Sequence, residues 1–171
     1  MFWIAVFCLP VLQVLTLEPP PDDCRRPFHS VKNPFKCCNI PTIYKDEDLK
    51  ACGVEKVPMT AGEEKPKPPD CSKQICLMQK NNLMKDDNTL DRAAITAFLD
   101  KWVESNEDFK DAVEIAKNKC VNGELRGPPE ICEANRLSFC VIANIFSNCP
   151  KWEDTDDCAK VKEYVQKCPP P

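Results

Sequence analysis

The stretch CEANRLSFCVIANIFSNCP, residues 132–150, decides the fold of this chain. Phe139, Ile142 and Phe146 recur at the three-to-four-residue spacing of a helix that buries one face. Pro150 follows the last apolar residues and ends the pattern, because proline lacks the backbone N–H that a further helical turn needs. The stretch therefore predicts a helix that carries cysteines along its length.

Two of these cysteines indicate how the helix is held. Cys140 and Cys149 are nine residues apart, so at about 100° per residue they point to nearly opposite sides of a helix. We expect them to bond different partners and to draw this helix onto two other segments. The adjacent residues Cys37 and Cys38 cannot easily bond each other, so each is also expected to tie to a different segment.

Cysteine usage indicates an oxidising compartment. Of the 13 cysteines, Cys8 lies in the uncharged N-terminal stretch MFWIAVFCLPVLQVLT, which is too short to span a bilayer. We interpret residues 1–16 as a signal peptide and residues 17–171 as one secreted, extracellular domain. An even number of cysteines remains in that domain, which is typical of a disulfide framework. The framework cysteines are Cys24, Cys37, Cys38, Cys52, Cys71, Cys76, Cys120, Cys132, Cys140, Cys149, Cys158 and Cys168.

Composition excludes several classes of function. The net charge is −4 and basic residues are interspersed with acidic ones, so we expect no nucleic-acid partner. His29 is the single histidine, and no Gly-rich calcium loop accompanies it, so we predict no catalytic site and no enzyme. No CxxC pair occurs, and oxidised cysteines cannot act as thiolate ligands, so we expect neither a metal nor a cofactor.

The chain contains only 4 Gly against 17 Pro, and the prolines cluster between apolar segments. That balance favours helices joined by stiff loops over β-hairpins, whose turns normally require glycine. Helical spacing of apolar residues from Asp46 onward predicts about six helices in an all-α domain.

Capping residues predict where these helices begin and end. Gly53 is expected to terminate a short helix over residues 46–52. Asp70 is expected to begin a helix that turns Met78 and Leu83 toward the core. The later starts are expected at Thr89 or Asp91, at Ser105 paired with Asp108 in a capping box, at Pro128 and Pro129, and at Thr155.

The full cysteine series resembles that of insect odorant-binding proteins, and in particular their cysteine-enriched Plus-C branch. Eight residues separate Cys140 from Cys149, as between the fifth and sixth cysteines of that family, and Pro150 follows directly. The second, third and fourth places fall on Cys71, Cys76 and Cys120, and the additional cysteines of the enriched branch match Cys132, Cys158 and Cys168.

The resemblance also implies a disulfide pairing, in which the second cysteine bonds the fifth and the fourth bonds the sixth. One departure bears on it, since four residues rather than three separate Cys71 from Cys76, which turns them about 140° apart on a helix. Either Cys71 lies at the helix start or the alignment is shifted there. The implied bonds are Cys71 to Cys140, Cys120 to Cys149, and Cys76 to Cys37, Cys38 or Cys52.

The function implied by the resemblance is that of a secreted carrier, which binds small hydrophobic molecules such as odorants or pheromones without covalent chemistry. The fold implied is a compact, disulfide-stapled domain of about six to eight helices around an apolar cavity. Disulfides contribute about 2–4 kcal/mol each, so a stapled shell tolerates a cavity of roughly 300–1,000 Å³. The candidate pocket residues are Met78, Leu83, Phe98, Trp102, Phe109, Phe139, Ile142 and Phe146.

An alternative interpretation is a secreted helical interaction protein, such as an inhibitor or venom component, whose apolar residues fill a solid core. The Pro-rich loop over residues 54–70 would then be its contact surface, or else a solvated connector. The carrier interpretation adds a membrane receptor as a candidate partner and allows a monomer or a homodimer. With one histidine, any release of ligand on acidification would rest mainly on carboxylates.

Overall fold

The computed structural model describes residues 24, 31, 33–54, 71–168 and 170. The predicted signal peptide, His29 and nearly all of the loop over residues 54–70 lie outside these residues. Within them the fold is all-α, as predicted, with six α-helices and no strand. The β-type pairings found there are two isolated bridges, Cys38 with Trp152 and Met84 with Leu90.

The helices follow the predicted order along the chain. Short 3-10 turns at Pro34–Cys37 and Glu107–Phe109 precede the first and fourth helices, and a π-helical turn at Lys117–Val121 continues the fourth. The α-helices are α1 (Asp46–Ala51), α2 (Cys71–Lys80), α3 (Arg92–Glu104), α4 (Lys110–Ala116), α5 (Glu133–Ser147) and α6 (Asp156–Lys167).

Three of the predicted helix ends are confirmed. The Asp91 carboxylate accepts a 3.0 Å hydrogen bond from the backbone N–H of Ala94 and so caps α3. The Thr155 hydroxyl accepts one of 3.2 Å from the N–H of Cys158 and caps α6. Gly53 follows α1 with a φ of 65°, the left-handed conformation that glycine adopts at little cost. Each cap satisfies backbone groups that a helix end would otherwise leave unpaired.

The predicted capping box at Ser105 and Asp108 is wrong. Ser105 still belongs to the last turn of α3, because its backbone N–H donates to the Trp102 carbonyl and the N–H of Asn106 donates to the Val103 carbonyl. The chain then turns at Asn106, whose side-chain amide donates to the Trp102 carbonyl at 2.7 Å. The next element therefore begins with a 3-10 turn at Glu107–Phe109 and not with a helix capped by Ser105.

The predicted opening of α5 at Pro128 and Pro129 is also wrong. The backbone N–H of Ile131 donates to the Pro128 carbonyl at 3.1 Å, so these residues form a turn. Cys132 is the N-cap in an extended conformation, and α5 begins at Glu133. A disulfide from Cys132 to another helix fixes the chain at that point, which a local proline signal could not predict.

Helix α5 lies at the centre of the fold because it is amphipathic, although its buried face leaves out Phe139, which the sequence pattern placed on it. It packs against α2, α4, α6 and the π-helical turn. Ile145 of α5 and Val161 of α6 are fully buried, and so is Val121 at the end of the π-helical turn. Burial of such aliphatic side chains contributes about 1.5–3 kcal/mol each, so these contacts hold the helices around one core.

All twelve framework cysteines are paired, which gives six disulfides. As predicted, Cys37 and Cys38 bond different segments, and so do Cys140 and Cys149. Cys71 is the first residue of α2, which accommodates its unusual spacing from Cys76. The pairs are Cys24–Cys168, Cys37–Cys158, Cys38–Cys149, Cys52–Cys76, Cys71–Cys132 and Cys120–Cys140.

Two bonds implied by the family pairing are therefore wrong, Cys71 to Cys140 and Cys120 to Cys149. Cys120 lies in the π-helical turn, which packs against the middle of α5 where Cys140 is located. Cys149 lies beyond the end of α5, where Cys38 pairs with the segment that follows. Cys149, which the family pairing assigned to Cys120, thus bonds Cys38 of the N-terminal segment. Cys76 bonds Cys52, one of its three expected partners.

Candidate functional site

A cavity of about 820 Å³ lies between α2, α3, α5 and the segment 33–54. Its volume falls within the range of roughly 300–1,000 Å³ that is typical of small-molecule sites. Each helix presents apolar residues to it at helical spacing, Ile95 and Leu99 from α3 and Leu137 and Val141 from α5. The buried residues of the floor are Leu77, Met78, Leu83, Ile95, Leu99, Leu137 and Val141.

The opposite wall is formed by the irregular segment that leads from Cys38 through α1. Disulfides fasten both ends of this wall, Cys38 to Cys149 and Cys52 to Cys76. Between them, the carbonyl of Thr42 accepts a 3.1 Å hydrogen bond from the indole N–H of Trp102. The residues of the wall that face the cavity are Ile40, Pro41, Thr42, Ile43, Tyr44, Leu49 and Val54.

Charge is confined to the rim of the cavity. Among the described lining residues, the charged side chains are Lys36 and Glu153, and both are exposed. A charged ligand that reaches the floor of the cavity would lose its hydration and meet no opposite charge there. That loss of hydration is costly in free energy. The lining therefore suits an uncharged molecule.

Three polar side chains stand inside the rim and come from three different elements. Gln74 of α2 donates a hydrogen bond of 3.1 Å from its amide to the hydroxyl of Tyr44. Ser138 of α5 is a second hydrogen-bonding neighbour of that hydroxyl. The Tyr44 ring stacks on Phe98 of α3, with the ring centroids 5.7 Å apart.

Burial raises the pKa of Tyr44 above its ordinary value of 10.0, and the hydrogen bonds from Gln74 and Ser138 oppose that rise only in part. Desolvation disfavours the phenolate, so the hydroxyl keeps its proton at neutral and acidic pH. Tyr44 can therefore act as a hydrogen-bond donor inside the cavity.

Four of the eight predicted pocket residues line the cavity: Met78, Leu83, Phe98 and Ile142. The prediction found them because their helical spacing places them on faces that turn toward a neighbouring helix. Their part in binding a ligand stays a prediction.

The other four predicted pocket residues lie elsewhere. Trp102 and Phe109 pack against each other edge-on, with ring centroids 5.6 Å apart, and both are buried. Phe146 is buried and contacts Phe35 and Trp152 with ring centroids 5.1 and 5.3 Å away. Phe139 points outward and is 67% exposed.

Sequence reasoning missed the wall and the polar residues. Ile40, Ile43 and Tyr44 lie between two cysteines in a segment with no regular period, so no helical or strand pattern selected them. The sequence feature that could have found them is the number of apolar residues between Cys38 and Cys52, because a segment bonded at both ends is held against the core. From the sequence alone, Gln74 and Ser138 are indistinguishable from ordinary surface residues of their helices.

The described part of the chain shows no group of three His, Cys, Asp or Glu side chains placed to hold a metal ion. None of its helices has the length and apolar character needed to cross a bilayer. The cysteines there are consumed in disulfides, so no thiolate remains among them as a ligand.

Comparison with known proteins tests the resemblance that the cysteine series indicates. No family model matches the chain. General odorant-binding protein 68 of Anopheles gambiae is 25% identical over 177 aligned residues, which cover 92% of this chain and 81% of that protein. This similarity confirms the resemblance to insect odorant-binding proteins that the cysteine spacing predicts, and the six disulfides fit a cysteine-rich member of that family.

Proposed function

We propose that this protein is a secreted carrier that binds small, uncharged hydrophobic molecules, such as odorants or pheromones, in the cavity between α2, α3 and α5. The observation that carries the proposal is the cavity itself, about 820 Å³ with an aliphatic floor and no charge inside its rim. The similar mosquito protein is named for odorant binding, which supports the same class of ligand here.

Binding in this proposal needs no reaction. An apolar ligand leaves water and contacts the floor residues, which stabilises the complex by about 0.8 kcal/mol for each CH₂ group buried. For a ligand with about ten carbons this gain is about 8 kcal/mol before the cost of association is subtracted. The protein supplies shape and an apolar surface, and we propose no enzymatic activity for it.

Secretion fits the disulfide framework. Six disulfides persist in an oxidising compartment, and residues 1–16 have the composition of a signal peptide. A carrier outside the cell would hand its ligand to a membrane receptor, as a monomer or as a homodimer. The competing interpretation, an interaction protein with a solid core, is less consistent with a lined cavity of this size.

The test is displacement of N-phenyl-1-naphthylamine, an apolar fluorophore, from the oxidised, refolded chain over residues 17–171. We expect saturable micromolar binding that small hydrophobic molecules reverse and that reduction of the disulfides abolishes. Val141→Phe places a ring in the cavity, and we expect it to weaken probe binding by about tenfold or more without loss of folding, because the ring enters space that is empty.

Val161→Phe is the matched control. Val161 is fully buried in α6 and does not line the cavity, so the same substitution overpacks a filled core. We expect it to lower the free energy of unfolding by about 1–3 kcal/mol while the folded fraction still binds the probe. A well-folded wild-type protein that binds no probe, or a Val141→Phe variant that binds it normally, would contradict the carrier function in this cavity.

A further inference from the structure

The polar side chains of the cavity fall into two groups. Lys36, Asn39, Thr42 and Glu153 are exposed at the rim, where water satisfies them, and the half-buried Asn33 is close to Lys36, whose backbone N–H donates to the Asn33 carbonyl. Tyr44 and its two polar neighbours lie inside, between aliphatic walls. Polar groups from three separate elements meet there and line the cavity, so a bound ligand would contact them.

Hydrogen-bond geometry shows what the cluster offers. A neutral phenol has one O–H donor and two lone pairs that can accept. The Tyr44 oxygen accepts from the Gln74 amide, which leaves the Tyr44 O–H to donate. The Ser138 hydroxyl can rotate to donate or accept. The cluster therefore presents the Tyr44 O–H as a donor to a ligand atom that accepts.

We propose that the Tyr44 hydroxyl donates a hydrogen bond to a carbonyl-type oxygen of the ligand, so that the cavity prefers neutral ketones, aldehydes or esters with an apolar chain over hydrocarbons of equal length. This inference rests on the proposed carrier function. In the empty cavity the Tyr44 O–H can turn to Ser138, and a ligand oxygen replaces that partner. Gln74 positions the phenol and Phe98 holds its ring, so the donor is aimed before the ligand arrives.

The test compares 2-undecanone with undecane as competitors of the fluorophore, in the wild type and in Tyr44→Phe. We expect the ratio of their dissociation constants to shift by about fivefold against the ketone in the variant, the net worth of one hydrogen bond. Comparing this ratio between the two proteins cancels the difference in hydrophobicity between the two ligands. Tyr44→Phe keeps the ring on Phe98, so the affinity for undecane should stay within about twofold.

Tyr164→Phe is the matched control. Its hydroxyl donates to the carbonyl of Cys24, outside the cavity, so removing it should leave the ketone preference unchanged. Ser138→Ala tests whether the donor is the hydroxyl of Tyr44 or that of Ser138. If Tyr44 is the donor, the preference for the ketone should persist or increase in this variant, because a competing partner of Tyr44 is removed. Loss of the preference in Ser138→Ala, with retention in Tyr44→Phe, would overturn the Tyr44 assignment.

A measurement on the wild type alone guards against misfolding of the variants. The infrared carbonyl stretch of bound 2-undecanone should lie below its frequency in an alkane solvent, because a hydrogen bond weakens the C=O bond. An alkane-like frequency would overturn the inference while leaving the carrier function intact. Failure of the fluorophore and of both ligands to bind would contradict the carrier function itself.

Discussion

Cys37 and Cys38 are neighbours in the chain, and their sulfur atoms bond cysteines in two different segments, Cys158 of α6 and Cys149 beyond the end of α5. The 3-10 turn that ends at Cys37 allows the two side chains to diverge. The backbone supports the arrangement, since the N–H of Glu153 donates to the Cys37 carbonyl at 2.9 Å. One dipeptide thus fixes the N-terminal segment to two elements at once.

The disulfide pairing can be tested by tryptic digestion of the unreduced protein. Trypsin separates Cys71 in residues 57–73 from Cys132 in residues 127–136, so these two peptides should be recovered as one disulfide-linked product by mass spectrometry. The pairing implied by the family would instead join residues 57–73 to residues 137–151, which contain Cys140. Recovery of that second product would contradict the structure.

A second prediction contrasts two phenylalanines that sequence reasoning placed together in the pocket. Phe98 lines the cavity and stacks on Tyr44, whereas Phe139 is exposed on the outer face of α5. Phe98→Ala should weaken fluorophore binding by about tenfold, because it removes a contacting ring worth about 1.5 kcal/mol. Phe139→Ala should change binding by less than about twofold, and equal losses in titrations of the two variants would place the site elsewhere.

A third prediction concerns the cap of α6. Thr155→Ala removes the hydroxyl that accepts from the N–H of Cys158, and it should lower the free energy of unfolding by about 1 kcal/mol. The melting temperature should fall by about 2–4 °C in a calorimetric scan. Thr96→Ala is the control, since Thr96 lies inside α3, where alanine favours the helix. A Thr96→Ala variant as unstable as Thr155→Ala would show that the cap is not the cause.

A fourth prediction follows from the raised pKa of Tyr44. An acid whose folded-state pKa is raised contributes stability below its unfolded value of about 10 and loses it only as the pH rises above that value. Tyr44 therefore stays protonated from neutral pH to about pH 5, and the ratio of ketone affinities between wild type and Tyr44→Phe should be the same at both.

Absolute affinities measured in the same titrations test acid release separately. A drop at about pH 5 that appears equally in both proteins would show release of ligand in acid that does not depend on the Tyr44 hydroxyl. A ratio that itself changes between the two pH values would contradict the protonation state assigned to Tyr44.

The helices were predictable because their signals are local. Asp91 and Thr155 cap the helices they were expected to cap. Helix α5 forms where its apolar spacing predicts it, but its buried face carries Leu137, Val141 and Ile145 and leaves Phe139 exposed. At the start of α5, where the prediction was wrong, a distant contact determined the outcome. The start of α5 is set by the bond from Cys132 to Cys71, and no feature near Pro128 reports that bond.

The site was predictable only in part for a related reason. Helical spacing shows which face of a helix is apolar, but whether a neighbour fills that face or leaves a gap depends on the tertiary arrangement. Trp102 and Phe109 fill the interior by packing on each other, while Phe98, four residues before Trp102, borders the cavity. Tyr44 carries no periodic signal, because its segment is held by disulfides instead of helical packing.

The wall over residues 38–54 has a consequence for the rate at which ligand exchanges. Because Cys38 and Cys52 are both bonded to the helical core, the wall can bend outward between them but cannot detach at either end. A ligand would enter and leave through small, fast movements of the wall, on the nanosecond-to-microsecond scale of loop motions. Cleavage of either bond would free one end of the wall and would shorten the residence time of the ligand without any change in the residues that contact it.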